Sequence, residues 1–175
     1  MRKKRYFQTA RALGSYEGSL QKMIHRWKYE GKTSLTEPLG EWMVSGLSRY
    51  WDLPRFDLLL PVPLHPRRLR ERGFNQVLLL ARHLSRRTGI PYRKRLLQKN
   101  EATTPQVDLS GSNREKAVKN AFCLDGNETV KGKSILLLDD VYTTGATVNE
   151  CARVLMEAEA RRVDVLTLAH ALKRN

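Results

Sequence analysis

Ile135–Thr147 reads ILLLDDVYTTGAT. Four apolar residues run straight into two adjacent carboxylates, Asp139 and Asp140, and Thr143, Thr144, Gly145, Ala146 and Thr147 follow two residues later. A short apolar run with turn residues on both sides suits a strand buried on both faces, as in a parallel sheet. Beyond it, Val148, Cys151, Ala152, Leu155 and Ala158 recur at helical spacing. The stretch is therefore predicted as strand, loop and helix start. A loop of that kind turns several backbone N–H groups and the positive end of a helix dipole towards one place, which suits a phosphate. Thr143, Thr144 and Thr147 add hydroxyls, and Gly145 lets the backbone come close. Adjacent carboxylates at the end of a buried strand are costly unless something uses them. They would repel a phosphate placed directly on them. They suit the role of acceptors for neighbouring hydroxyls, such as a ribose diol, or of ligands in a Mg²⁺ shell.

Working outward, the 175-residue chain is long enough for one domain with a real core. No apolar run approaches membrane-spanning length. The basic start, Met1–Arg5, is not followed by an apolar signal-peptide core, so secretion is not expected. Cys123 and Cys151 have no metal-binding spacing and are read as small core residues, which points to a reducing, cytoplasmic setting. The net charge is +14, unevenly spread. Residues 1–56 hold 11 Lys/Arg against 5 Asp/Glu, residues 57–100 hold 11 against 2, and residues 101–175 hold 10 against 11. The excess lies in the first hundred residues and suggests a polyanionic partner or substrate, with a solvated basic surface as the alternative.

In chain order, residues 6–17 are weakly patterned and include a candidate edge strand. Leu20, Met23, Ile24 and Trp27 share one helical face, closed at Gly31, and Leu35, Leu39, Trp42, Met43, Leu47 and Tyr50 mark a second helix. Trp27, Trp42 and Trp51 read as packing anchors, with base stacking the competing use in a basic protein. Phe56–Pro61 is a buried strand. After it comes VPLHPRRLRERGFNQ, Val62–Gln76. Pro61, Pro63 and Pro66 stiffen this segment and keep it out of an ordinary helix start. Arg67, Arg68, Arg70 and Arg72 follow, and arginines at the carboxyl end of a parallel strand can grip diphosphate oxygens. Val77, Leu80, Ala81 and Leu84 form a further helix closed at Gly89. Ile90–Leu97 is read as a strand, residues 99–119 as a long polar loop with a Ser112/Glu115 capping box, and Ala121–Leu124 as a return to the sheet. Gly126–Ser134 has the wrong spacing and place for a nucleotide-binding P-loop and is read as a turn. Val163–Ala169 is the last buried strand.

Two of these stretches carry a family resemblance. ILLLDDVYTTGAT resembles the phosphoribosyl-pyrophosphate (PRPP) motif of type I phosphoribosyltransferases, and PVPLHPRRLRERGFNQ resembles the signature of the ComF-type competence proteins, a branch of that family. The resemblance runs from about Tyr16 through Ala169. It implies that Asp139 and Asp140 hold the ribose hydroxyls and that Thr143, Thr144, Gly145, Ala146 and Thr147 cradle the 5′-phosphate. It places Pro63, Leu64 and His65 in the pyrophosphate loop, with Arg67 and Arg72 as diphosphate ligands. Lys99, Thr103, Gln106 and Arg114 fall on a flexible loop over PRPP, Arg114 with a catalytic role beside Asp139 and Asp140. Lys99 stands where Arg is common, Glu101 where a basic residue is expected, Ala117 where Asn is expected and Glu159 where Gly is usual. Fuller members carry an N-terminal four-cysteine zinc module. No cysteine precedes Cys123, so no zinc is expected, and Mg²⁺ is expected to arrive with PRPP rather than through direct protein ligands.

The expected fold is α/β: a type I phosphoribosyltransferase-like, mainly parallel twisted sheet flanked by helices, with residues 1–55 as a helical hood packed on a core of residues 56–175. The expected function is PRPP binding in a ComF-type protein linked to competence and DNA uptake. The alternative is an active pentosyltransferase that moves ribose 5-phosphate from PRPP to a nitrogenous acceptor. Single-stranded DNA, through the basic N-terminal half, and DNA-processing proteins are the expected partners.

Overall fold

Ile135, Leu136, Leu137 and Leu138 are all fully buried, and they divide alternately between two hydrophobic cores on opposite sides of one sheet. That is the period-two signature of a strand covered on both faces. The computed structural model describes residues 4–52, 55–99, 118–126 and 129–171. Along the chain come β1 (Thr9–Ser15), α1 (Gly18–Tyr29), a 3₁₀ turn (Thr33–Leu35), α2 (Thr36–Tyr50), β2 (Leu58–Pro61), α3 (Pro66–Arg72) and α4 (Gln76–Thr88). They are followed by β3 (Leu97–Lys99), β4 (Phe122–Leu124), β5 (Ser134–Tyr142), α5 (Ala146–Glu157) and β6 (Arg162–His170). The main sheet has the order β1-β6-β5-β2 with every neighbouring pair parallel. Pro61 stands beside Leu138 in register, so β2 ends next to the point where the carboxylates of β5 begin.

One face of the sheet is covered by α5, through Val148, Cys151, Ala152 and Leu155, together with Leu97 and Phe122 of the β3–β4 pair. The other face packs α1, α2 and α4, through Ile24, Trp27, Met43, Leu47, Leu80 and Leu84, against Leu59, Leu136 and Leu138. The N-terminal helices thus rest on the central strands, and the end of α1 lies near the sheet's carboxyl edge. Trp27 and Trp51 are buried anchors as expected, whereas Trp42 is 38% exposed. The candidate edge strand is β1, which pairs only with β6 among the described residues.

Several expectations need correction. Ile90–Leu97 does not form a strand of the main sheet: Tyr92 makes one parallel bridge to Leu59, and the chain then departs. Pro91 has no N–H to extend a ladder there, and Arg93, Lys94 and Arg95 do not suit a doubly buried strand. Phe122–Leu124 does not return to the main sheet either, but pairs antiparallel with Leu97–Lys99. Cys123 consequently sits on an exposed face and is not the core residue expected, while Cys151 is buried. Finally, Pro66 does begin a helix. It occupies the first turn of α3, where its missing N–H is harmless, and Gly73 ends that helix at φ 75°. Glu159 does adopt the left-handed conformation, at φ 63°.

The α2–α4 contact depends on a close approach at Gly40. The His83 ring lies against it, and His83 Nε2 and Arg87 Nε both donate to Glu41 Oε1, at 2.8 and 2.9 Å. A Cβ on residue 40 would stand 2.6 Å from the His83 ring. Gly40→Ala should therefore lower stability by about 1–3 kcal/mol. Denaturant unfolding should show a lower midpoint with an unchanged slope, and an unchanged midpoint would mean that His83 moves aside freely.

Candidate functional site

β5 extends through Tyr142, so Asp139 and Asp140 lie within its last turns of pleat and not after it. Asp139 stays in register with Thr167 of β6. The backbone N–H of Asp140 donates to Asp139 Oδ1 at 2.9 Å, which holds the first carboxylate against its own strand. Lys28 Nζ, from the last turn of α1, lies 2.7 Å from Asp140 Oδ1. Burial raises the Asp139 pKa to about 7, and the neighbouring Asp140 charge adds to the rise. The hydrogen bond from Asp140 N–H, then Lys28 and Lys99, oppose it. Lys99, at the end of β3, has its pKa lowered, first by burial and then by the charge of Arg68, with Cys151 and Asp139 acting the other way. Two cations from two elements, Lys28 and Lys99, therefore act on the carboxylate pair, while Arg68 stands close enough to Lys99 to repel it.

Thr143 and Thr144 lead into Gly145, which sits at the N-cap of α5 with φ 75°. Two constraints meet at this glycine. The left-handed conformation disfavours any side chain, and a Cβ there would collide with the Tyr142 hydroxyl. Thr144 Oγ1 accepts from Ala146 N–H at 3.3 Å, but no side chain caps the helix from the N-cap position. The start of α5, including Thr147, is thus a helix N-terminus presented to the adjoining cleft, a favourable place for an anion. That cleft has a volume of about 840 Å³, and Lys4, Arg5 and Lys119 line it together with Thr144, Gly145 and Ala146. The N-terminal segment is brought there by Asn149, which accepts from Tyr6 N–H at 2.9 Å and donates to Lys4 O at 3.1 Å.

Pro63, Leu64 and His65 connect β2 to α3, one strand away from the carboxylates. Asn75 steadies this loop. Its Oδ1 caps α4 by accepting from Val77 and Leu78 N–H, and its Nδ2 reaches Val62 O at 3.5 Å. His65 Nδ1 accepts from Arg67 N–H at 3.2 Å, so in the neutral ring the proton is on Nε2. That Nε2 atom is buried and has no partner among the described residues. A buried donor of this kind calls for a ligand or a water.

The arginines of α3 occupy separate environments. Arg67 pairs with Glu71 at 2.9 Å on the exposed face of α3. Arg72 donates to Tyr29 Oη at 3.0 Å and to Gln76 Oε1 at 3.3 Å, with its guanidinium 4.7 Å from the Tyr29 ring centroid. Neither is free beside the carboxylates, whereas Arg68, between them in sequence, acts on Lys99. The structure thus brings together Asp139, Asp140, the Thr143–Thr147 turn, the 63–65 loop and Lys99. Thr103, Gln106 and Arg114 lie outside the described residues. Sequence reasoning missed Lys28 as a site residue. Its only signal was its place among the cations of α1, which does not single it out. Among the described residues, no three or more His, Cys, Asp or Glu converge as a metal cage. No described helix is long and apolar enough to cross a membrane.

Comparison with known proteins identifies the family. The model of the phosphoribosyl transferase domain matches residues 77–175, more than half of the chain. The competence protein F of Haemophilus influenzae is 31% identical over 163 residues, covering 91% of this chain and 71% of that protein. The DNA utilization protein YhgH of Escherichia coli K12 is 33% identical over 163 residues, with the same coverage. Among solved structures, glutamine PRPP amidotransferase from B. subtilis superimposes with a TM-score of 0.53 at 21% identity. That match covers 82% of this chain but 30% of the other, and it is a likeness of fold.

The raised Asp139 pKa has a consequence for stability. Between about pH 4 and pH 7 the folded protein keeps a proton that the unfolded chain, with a pKa of 3.8, has released. The stabilisation from that proton is complete below pH 4 and is lost as the pH rises to 7. Asp139→Asn escapes this loss. Its stability relative to wild type should therefore rise between pH 4 and pH 8 by roughly 1–3 kcal/mol, allowing for partial solvent contact. Thermal melts at the two pH values test this, and a pH-independent difference would contradict it.

Proposed function

Since the chain belongs to the phosphoribosyl transferase domain family, we propose that the carboxylates of β5 and the turn that follows bind PRPP. The observation that carries this reading is the meeting, at the carboxyl end of one strand, of a carboxylate pair and a helix start whose N-cap position is held by Gly145 and offers no side-chain cap. In this proposal Asp139 and Asp140 accept hydrogen bonds from the ribose 2′- and 3′-hydroxyls. The hydroxyls of Thr143, Thr144 and Thr147, with the N–H groups at Gly145 and Ala146, hold the 5′-phosphate. The diphosphate lies along Pro63, Leu64 and His65, where His65 Nε2–H offers an unused donor and Arg68 and Lys99 offer charge. Arg67 and Arg72 are given no direct contact, because their guanidinium groups are already engaged.

The donor set also fits Mg²⁺ that arrives with PRPP, since the hard carboxylate oxygens of Asp139 and Asp140 stand beside the proposed diphosphate site. Such an ion would neutralise diphosphate charge. In turnover, a nitrogen of the acceptor forms a bond to ribose C1 as the C1–O bond breaks, and the bonding electron pair leaves with diphosphate. The chain's own contribution is to position the sugar and to stabilise the departing anion with His65, Arg68 and Lys99. No covalent nucleophile is required.

Homology to proteins named for competence and for DNA utilization supports placing this PRPP binder in the handling of incoming DNA in the cytoplasm, with DNA-processing proteins as partners. The charge asymmetry supports single-stranded DNA as a further partner of residues 1–100, which hold 22 Lys/Arg against 7 Asp/Glu. On this reading binding is the primary activity, and transfer to a nitrogenous acceptor is the second.

Two experiments address these readings. Titration calorimetry with Mg²⁺–PRPP should give binding by the wild type and a loss of about tenfold or more in Asp139→Asn/Asp140→Asn, as removal of charged hydrogen-bond acceptors implies. Equal affinities would overturn the assignment of the ribose site. Affinity for single-stranded DNA should fall steeply with salt, with a log–log slope of about −0.7 per phosphate contacted. A flat salt response would exclude the basic half as the contact surface.

A further inference from the structure

Lys28 reaches the carboxylate pair from an element far away in the sequence, and its backbone is held there firmly. Lys28 O accepts from Gln76 Nε2 at 3.4 Å, and Gln76 is 1% exposed. On one side, Trp27 is fully buried and donates from Nε1 to Thr36 Oγ1 at 3.0 Å. On the other, Tyr29 Oη accepts from Arg72. The tip of α1 is therefore anchored by groups other than the Lys28 side chain, whose ammonium is left to meet Asp140 at 2.7 Å. Both side chains are largely covered, at 13% and 16% exposure. Lys28 also lines a cleft of about 320 Å³ with Tyr29, Arg68, Glu71, Arg72 and Phe74, in which the Glu71 carboxylate is already paired with Arg67. The Arg68 side chain in that cleft has no hydrogen bond or ion pair among the described residues. The ammonium thus stands between a carboxylate and a basic cleft suited to an anion.

We propose that Lys28 is a specificity-determining residue that selects PRPP over ribose 5-phosphate by exchanging its ion-pair partner. This inference rests on the PRPP reading of the site. A diol arriving at Asp140 competes with Lys28 for Oδ1. Taking an ammonium off a largely covered carboxylate is unfavourable unless another anion receives it. PRPP carries that anion with it, because its diphosphate lies beside Arg68, which shares a cleft with Lys28, and takes over the ammonium. Ribose 5-phosphate has the same diol and the same 5′-phosphate but no anion on C1, so it must break the Lys28–Asp140 pair without replacement. The contact that closes the empty site thereby becomes a penalty on the ligand that lacks diphosphate. No covalent step is involved.

The test is calorimetric titration of the full chain with Mg²⁺–PRPP and, separately, with ribose 5-phosphate, for wild type, Lys28→Gln and Lys28→Arg. Lys28→Gln should weaken PRPP about tenfold or more, since a charged contact to diphosphate is lost. It should leave ribose 5-phosphate unchanged or bind it more tightly, so the preference between the ligands collapses. Lys28→Arg should restore most of the preference. If Lys28→Gln weakens both ligands equally, or leaves their ratio unchanged, Lys28 merely docks α1 and the inference fails while the PRPP reading stands. If Asp140→Asn binds PRPP as well as wild type does, the ribose-site reading fails and the partner exchange falls with it.

Discussion

Two carboxylates side by side on a strand covered on both faces are the constraint to which the site is built. Adjacent like charges at a poorly solvated position raise each other's free energy, and the protein answers with a local hydrogen bond and with cations brought from elsewhere. Lys28 comes from α1 and Lys99 from β3. The residual cost remains visible in Asp139, whose pKa is held near 7. A site that keeps such a cost has acceptors ready for hydroxyl donors and cations ready for an anion. That pairing is the one that a sugar diol joined to a diphosphate requires.

The parallel sheet makes this concentration possible. All four of its strands point the same way, so the loops after β2 and β5 emerge on one edge, next to each other. Each loop is then stiffened by a different device. After β2 it is proline content together with the Asn75 bridge from α4 to Val62. After β5 it is Gly145, confined by its backbone angle and by the Tyr142 hydroxyl. Rigid loops lose little freedom when a ligand arrives, which favours binding by a preformed cradle.

Much of this was legible in the residue pattern. The alternation hidden in ILLL, the acidic pair and the Thr-Gly turn predict strand, acceptors and helix start from local rules alone. Gly89 ends α4 as predicted, and Asn75 opens it. Local rules failed where pairing partners had to be chosen. Ile90–Leu97 and Ala121–Leu124 both look like strands, but nothing in either segment says which neighbour it will take. A proline and a run of cations kept the first from a long ladder with β2, and the two ended against each other. The arginines of α3 part from one another for a related reason. Helical spacing sends Arg67 to Glu71 and Arg72 to Tyr29, so a linear cluster of like residues separates into three different environments.

By itself, then, the sequence determined the strand that bears the carboxylate pair and the turn that follows it, because both depend on residues close together in the chain and on backbone geometry that Gly145 restricts. Only the tertiary structure decided which cations serve that site. Lys28 and Asp140 are separated by most of the sheet's connections, and their contact depends on where the end of α1 is seated by Trp27, Gln76 and Tyr29. An ion pair between distant segments leaves no periodic trace, since its partners are chosen by packing and not by spacing.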